Sequence, residues 1–225
     1  MISLEKLVEG SIVLIDKPLD WTSFDVANKI KSKIKHTYKE KIKVGHAGTL
    51  DPKATGLLII CTGKATKKID EIQNQPKEYT GTFKLGATTL CYDTEMEENE
   101  LFPTEHITEE LIIETTNQFI GSIKQLPPIY SAIKVNGKKM YELAREGKKI
   151  EVKEREVTIY SFEITEINMP TISFKVKCSK GTYIRSLAND FGKTLNSGAY
   201  LTSLTRTAIG EYSIKQADNF WLAKE

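Results

Sequence analysis

The sequence predicts an α+β fold, a mostly antiparallel mixed sheet flanked by helices and loops. Three observations carry that reading. Tyr79 to Leu85, Val152 to Ile167 and Thr171 to Cys178 alternate with the period of half-buried strands. Helical patterns fall singly among the strands, without the strict strand-helix alternation of a doubly wound fold. At 225 residues and 40% hydrophobic content the chain can bury one substantial core, and no internal repeat or low-complexity linker divides it.

Ser11 to Ile15 is short, apolar and β-branched and is stopped by Asp16-Lys17-Pro18, which predicts a buried strand running into a loop. Thr22 or Ser23 can cap the next helix, where Val26, Ala27, Ile30 and Ile34 recur at helical spacing. The lysine-rich residues beyond lose that period and are expected to be mobile. Gly45 to Gly56 is turn-rich, and Leu57-Leu58-Ile59-Ile60-Cys61 reads as a strand buried on both faces. Gly63 to Ile72 reads as helical. The Tyr79 strand puts Tyr79, Gly81, Phe83 and Leu85 on one side, and Thr108 caps a helix predicted through Phe119 and ended by Gly121. Ser131 to Val135, the Asn136-Gly137 turn and Lys138 to Arg145 read as strand, tight turn and short helix, although Asn-Gly suits a hairpin equally. Asn168-Met169-Pro170 joins the two long alternating strands. Ile184, Leu187, Ala188, Phe191 and Leu195 give Thr182 to Leu195 a helical period, and a last strand spans roughly Leu201 to Ile209.

Several classes are excluded. The first residues have no basic start followed by a long apolar run, and nowhere do about 18 uncharged apolar residues occur together, so a cytoplasmic protein with no membrane partner is expected. Cys61, Cys91 and Cys178 are isolated and odd in number, against a disulfide framework. His36, His46 and His106 lack the helical spacing of a zinc site, so no metal is expected, and no Walker-type or dinucleotide glycine loop is present. A net charge of +2 does not announce a nucleic-acid partner. Its distribution is polarised: Lys29, Lys31, Lys33, Lys35, Lys39, Lys41 and Lys43 crowd one stretch, while Asp93, Glu95, Glu97, Glu98 and Glu100 make another acidic.

The densest chemistry lies in Val44-Gly45-His46-Ala47-Gly48-Thr49-Leu50-Asp51-Pro52-Lys53-Ala54-Thr55-Gly56. Its three glycines permit unusual backbone shapes or close approach, and Pro52 fixes the chain just after Asp51. An isolated Leu-Asp-Pro most often marks a turn with a capping aspartate. A carboxylate held in a rigid loop is also suited to nucleophilic attack, and the second carboxylate that glycoside hydrolysis would need is not close in sequence.

Gly45 to Pro52, followed by Ala54-Thr55-Gly56 and Gly63-Lys64-Ala65-Thr66-Lys67, resembles the signature of the TruB family of tRNA pseudouridine synthases. Asp16-Lys17-Pro18 with Thr22-Ser23 is similar to the family's N-terminal motif, and Lys77-Glu78-Tyr79 to the strand bearing its active-site tyrosine. Pro127 to Gly137 with Tyr141, Ala144 and Arg145, then Cys178 to Leu187, then Leu204-Thr205-Arg206-Thr207, match in the same order.

The resemblance implies a pseudouridine synthase fold in one catalytic domain, residues 1–225, with the C-terminal PUA-like RNA-binding extension of longer relatives absent or vestigial. It implies a stand-alone monomer that isomerises uridine 55 in the T loop (TΨC arm) of tRNA without a cofactor, which agrees with the absence of a Walker-type or dinucleotide glycine loop. Asp51 is implied as nucleophile, Tyr79 as the aromatic that stacks on the base with a phenol available for proton transfer, and Arg185 as the ion-pair partner of Asp51. His46 is implied as a contact that helps extrude the nucleotide. Taking a base out of the stack costs a few kcal/mol, and an aromatic receiver returns about 1–3 kcal/mol. Lys17, Lys64, Lys67, Lys134, Lys180 and Arg206 are candidates for RNA phosphate contacts or site architecture, and Asp93, Gly48, Thr49 and Leu50 for architecture. Asp20 departs from the family's usual glycine, and Leu90-Cys91 replaces a more polar stretch before Asp93. The rivals are the same chemistry on another RNA with partner proteins, a pure RNA binder, and a hydrolase that releases free uracil.

Overall fold

The computed structural model describes residues 2–135, 137–148 and 151–222. In chain order, α1 (Leu4–Gly10), β1 (Ile12–Lys17), α2 (Ser23–Tyr38), β2 (Val44–Ala47) and β3 (Ala54–Thr62) precede a 3-10 stretch (Gly63–Lys68). Then come α3 (Ile69–Asn74), β4 (Lys77–Leu85), β5 (Ala87–Thr89), β6 (Glu98–Leu101), α4 (Glu109–Asn117), β7 (Gly121–Gln125), β8 (Lys134–Val135) and β9 (Lys138–Lys139). The chain continues with α5 (Met140–Arg145), β10 (Arg155–Asn168), β11 (Thr171–Cys178), α6 (Ile184–Thr194), β12 (Ala199–Ile209) and β13 (Tyr212–Ser213). This is an α+β fold with a mixed, mostly antiparallel sheet and flanking helices. Two compact units divide it, Met1–Thr80 with Leu204–Glu225, and Gly81–Ser203. Strands β4 and β12 contribute residues to both.

In the first unit β3 is the central strand. It pairs antiparallel with β1 from Ile12↔Cys61 to Lys17↔Gly56 and antiparallel with β2 from Val44↔Thr62 to Ala47↔Ile59. Its start pairs parallel with β12 from Leu204↔Ala54 to Arg206↔Gly56. The continuous apolar run has a simple cause. Leu58 and Ile60 pack with Leu7, Ile15, Val26, Ile30 and Ile34, while Leu57, Ile59 and Cys61 pack with Ala47, Ala65, Ile72 and Ile209. Alternate side chains thus enter two cores, and no position is left for a polar residue. Each such side chain contributes about 1.5–3 kcal/mol by leaving water.

Helix α2 starts where expected, but it runs further. Thr22 Oγ1 accepts from the Asp25 amide at 3.0 Å, and Asp25 Oδ2 accepts from the Thr22 amide at 2.9 Å, a reciprocal capping box. The expected mobile lysine stretch is corrected as far as Tyr38. Ile34 stays buried, and the Tyr38 hydroxyl donates to the Ile2 carbonyl at 2.6 Å, so the apolar face continues beneath the lysines. Lys39 then ends the helix in the left-handed region at φ 57°.

In the second unit the strand order is β12-β4-β11-β10-β7, with β10 antiparallel to both β11 and β7. Phe83, Phe119, Phe162, Phe174 and Phe191 form its aromatic core, with Phe83 and Phe174 centroids 4.3 Å apart. Helix α4 is capped by Thr108 as expected but ends before Phe119, because β7 already begins at Gly121. The segment after Ser131 is a short hairpin, Lys134↔Lys139 and Val135↔Lys138, followed by α5, so both expectations for it hold in part. Asn136 of the expected turn lies outside the described residues. Cys61, Cys91 and Cys178 are buried thiols outside any disulfide, and burial pushes the Cys61 thiol up to about 11.

Gly56 adopts φ +100°, and a Cβ there would lie 2.4 Å from the Arg206 carbonyl oxygen and 2.7 Å from its amide nitrogen. Gly56→Ala is therefore expected to lower stability by more than about 2 kcal/mol, read as a shift in the urea unfolding midpoint.

Candidate active site

Asp51 sits in the loop between β2 and β3, and the loop is held from three directions within its own unit. Arg206 is 1% exposed, and its Nε donates to the Leu57 carbonyl at 2.8 Å while Nη2 donates to the Gly48 carbonyl at 2.9 Å. Nη1 reaches the Thr49 carbonyl at 3.4 Å. Lys17, which is 0% exposed, donates from Nζ to the carbonyls of Pro18 at 2.9 Å, Trp21 at 2.6 Å and Pro52 at 3.3 Å. Ser23 Oγ accepts from the Leu50 amide at 2.8 Å and donates to the Leu50 carbonyl at 3.2 Å. Carbonyls at positions 48, 49, 50 and 52 are thereby fixed around Asp51.

The sequence left Lys17 and Arg206 as either RNA phosphate contacts or site architecture. Both side chains are sealed from solvent and their donors face main-chain carbonyls, so the second alternative, architecture of the site, is the one the geometry supports. Lys64 and Lys67 are exposed on the 3-10 stretch, and Lys180 is exposed after β11. Lys134 belongs to β8, and its side chain lies outside the described residues.

Burial lowers the Lys17 pKa to about 8, opposed by the negative charge of Asp51. The ammonium and the Asp51 carboxylate thus attract one another within this unit. His46, on β2, has its pKa lowered by burial and then by the positive charge of Arg206, so its imidazole is neutral near pH 7. Any contact it makes to RNA is consequently a hydrogen bond rather than an ion pair. Its Nδ1 is buried with no hydrogen-bond partner among the described residues. Tyr79, on β4, is 9% exposed and shares a strand face with Phe83 and Leu85, as the alternation predicts.

Asp20 adopts φ 64°, the left-handed region that favours glycine. This gives the physical meaning of its departure from the family pattern. Its amide donates to the Pro52 carbonyl at 2.9 Å, and its carboxylate receives Lys53 Nζ at 2.8 Å, which ties the motif loop to the Asp51 loop.

Arg185 belongs to the second unit, in the first turn of α6, and is 5% exposed. Gln125 exchanges two hydrogen bonds with the Tyr183 main chain, at 2.8 and 3.0 Å, and so fixes where this helix starts. Arg185 Nη1 donates to the Tyr130 carbonyl at 3.1 Å and the Cys91 carbonyl at 3.3 Å, and Nε faces Asp93 Oδ2 at 3.6 Å. Asp93 also accepts from the Glu95 amide and from Cys91 Sγ, both at 2.9 Å. The motif departure at Cys91 therefore still supports Asp93, through a thiol donor. In the sequence Ser23 is legible as a cap candidate and as part of the Thr22-Ser23 motif, not as a clamp on Leu50, and Gln125 carries no mark of its role. Adjacency of Thr22-Ser23 to Asp16-Lys17-Pro18 was the available signal for the first, and the second had no sequence signal.

Residues 35–184 match the TruB family pseudouridylate synthase (N terminal domain). The chain belongs to the TruB family. The tRNA pseudouridine synthase B of Flavobacterium johnsoniae is 59% identical over 223 residues, covering 98% of this chain and 97% of that protein. The tRNA pseudouridine synthase B of Parabacteroides distasonis is 54% identical over 208 residues, covering 92% and 88%. Among solved structures, a chain of a Cbf5-Nop10-Gar1 complex superposes with TM-score 0.69 at 29% identity, and one of an H/ACA RNP bound to a substrate RNA containing 2'-deoxyuridine with TM-score 0.66 at 26%. They cover 93% and 94% of this chain, which spans 51% of each of theirs. The fold is that of the pseudouridine synthases, and this TruB-family chain is an isomerase.

Lys17 gives a test of the loop clamp. Its pKa is about 8 when folded and ordinarily 10.5, so between those values the unfolded chain binds the extra proton and stability rises with pH. Below pH 8 the burial penalty is fully present. Urea unfolding of the wild type minus Lys17→Met is expected to favour the wild type increasingly from pH 8 to 10.5, by up to about 3 kcal/mol. A difference that stays flat across that window would show that the ammonium is not desolvated.

Proposed function

We propose that this chain converts uridine 55 in the T loop of tRNA to pseudouridine, as a monomer, without a protein partner, metal or cofactor, in the cytoplasm. No helix among the described residues is long and apolar enough to cross a membrane. The observation that carries the reading is Asp51 in a loop whose carbonyls are immobilised by Arg206, Lys17 and Ser23. Such a scaffold fixes the main chain that carries the carboxylate before attack, which lowers the ordering left to be done at that moment. A tRNA substrate is supported by relatives named tRNA pseudouridine synthase B, one of them 59% identical over 97% of its length.

In this proposal Asp51 serves as the nucleophile while the bond between ribose C1′ and uracil N1 breaks. The base rotates in place, a C–C bond forms through C5, and the C5 proton leaves, ending on N1, so the product is an isomer and nothing is oxidised or reduced. Tyr79 receives the flipped base, and its phenol serves the proton that departs. Arg185 is assigned as counter-charge to the nucleophile, and Asp93, which faces it at 3.6 Å, as the residue that orients it. His46 assists extrusion as a neutral hydrogen-bonding group.

Purified protein alone is expected to convert the T-loop uridine of an unmodified tRNA transcript in metal-free buffer, mapped by pseudouridine-specific sequencing. Conversion only after partner proteins are added would favour the assembly mode named for the Cbf5 complexes. Asp51→Asn is expected to remove at least about 10³-fold of turnover while shifting tRNA affinity by less than about threefold. Equal loss of binding and turnover would assign Asp51 a structural role, and release of free uracil would mean hydrolysis.

A further inference from the structure

Between Lys29 and Lys43 the chain carries seven lysines and one glutamate, a net +6, whereas the whole chain carries +2. The remaining residues are therefore net −4, and the positive charge is concentrated in one stretch of the first unit. Helix α2 commits Val26, Ala27, Ile30 and Ile34 to the core. Lys31, Lys35, Lys39, Lys41 and Lys43 are exposed, and Lys29 and Lys33 lie half-buried on the flanks. Lys29, Lys31, Lys35, Lys39, Lys41 and Lys43 form no ion pair among the described residues.

A helix face shaped only for solvation interleaves acids with bases. Glu-Lys pairs four residues apart stabilise by about 0.2–0.5 kcal/mol, and like-charged pairs destabilise by as much. Helix α2 does the opposite, with Lys29-Lys33 and Lys31-Lys35 both at that spacing. An external polyanion relieves this repulsion. We propose that the outer face of α2 and the segment through Lys43 bind the sugar-phosphate backbone of the RNA helix next to the target nucleotide, a surface that rests on the pseudouridine synthase reading of the site.

The placement fits. Ser23 opens α2 and is hydrogen-bonded to Leu50, so the helix starts at the Asp51 loop. At 1.5 Å per residue Lys29 lies about 9 Å along the axis and the helix ends at about 24 Å. A nucleic-acid strand carries one charge per about 3.4 Å, so a strand beside α2 presents about seven phosphates to these lysines. An anionic membrane is the weaker partner, because interfacial helices sink an apolar face into lipid and the apolar face of α2 is already used in the core.

The test compares the wild type with K31Q/K35Q/K39Q/K41Q, measuring affinity for an unmodified tRNA transcript from about 50 to 300 mM KCl. The quadruple variant is expected to reduce the slope of log affinity against log salt by about 2–4, and to raise KM about tenfold or more with kcat within about twofold. An unchanged slope and KM would overturn the proposal. So would loss of binding to phosphatidylserine vesicles with the tRNA slope intact. If the wild type fails to modify any uridine, the site reading fails, while the slope still decides whether α2 holds RNA.

Discussion

Two buried cations that donate to main-chain carbonyls hold together the part of the molecule that carries Asp51. Arg206 and Lys17 are solvent-free, and most of the hydrogen bonds they make among the described residues end on the loop around Asp51 or on the motif loop beside it. A buried charge is tolerated only when dipoles replace its water, so the loop needs the cations and the cations need the loop. The parallel pairing of β12 with the start of β3 depends on the same arrangement. It brings the Arg206 main chain so near Gly56 that no Cβ fits between them. The Asp51 loop, Gly56 and Arg206 are thus one construction, although Arg206 comes from a distant part of the sequence.

Much of this was legible beforehand, for identifiable reasons. The run from Leu57 to Cys61 announced β3 because both of its faces are covered, and the alternation at Tyr79 announced β4 because one face is. Thr22 announced α2 because a cap must sit beside the first orphaned amides. Other elements carried no such mark. In β6 all four residues are exposed, so no apolar period exists to be read, and α1 is seven residues with one buried side chain, Leu7. The lysines beyond Ile30 hid the end of α2, since charge on three sides of a helix masks the single buried stripe beneath it.

In the site, residue types were readable and partners were not. A lysine beside a proline in a loop has the same sequence signature whether it meets phosphate or carbonyl oxygen, and only coordinates show that Lys17 is sealed. Asp93 was assigned to architecture from its motif position, and its facing of Arg185 supplies a reason that spacing across 92 residues does not contain. Motif matching therefore pointed to the candidate site, whereas the surroundings of its cations required geometry.

The three thiols, none of which is given a step in the proposed reaction, have a practical consequence. Cys61 lies in the first unit and Cys91 and Cys178 in the second, each fully enclosed. Burial holds Cys61 and Cys91 as protonated thiols, the unreactive form. Alkylating reagents consequently meet a sulfur only after the surrounding shell opens. Labelling rates at these positions become an intrinsic clock for local opening, with a separate hand for each half of the molecule.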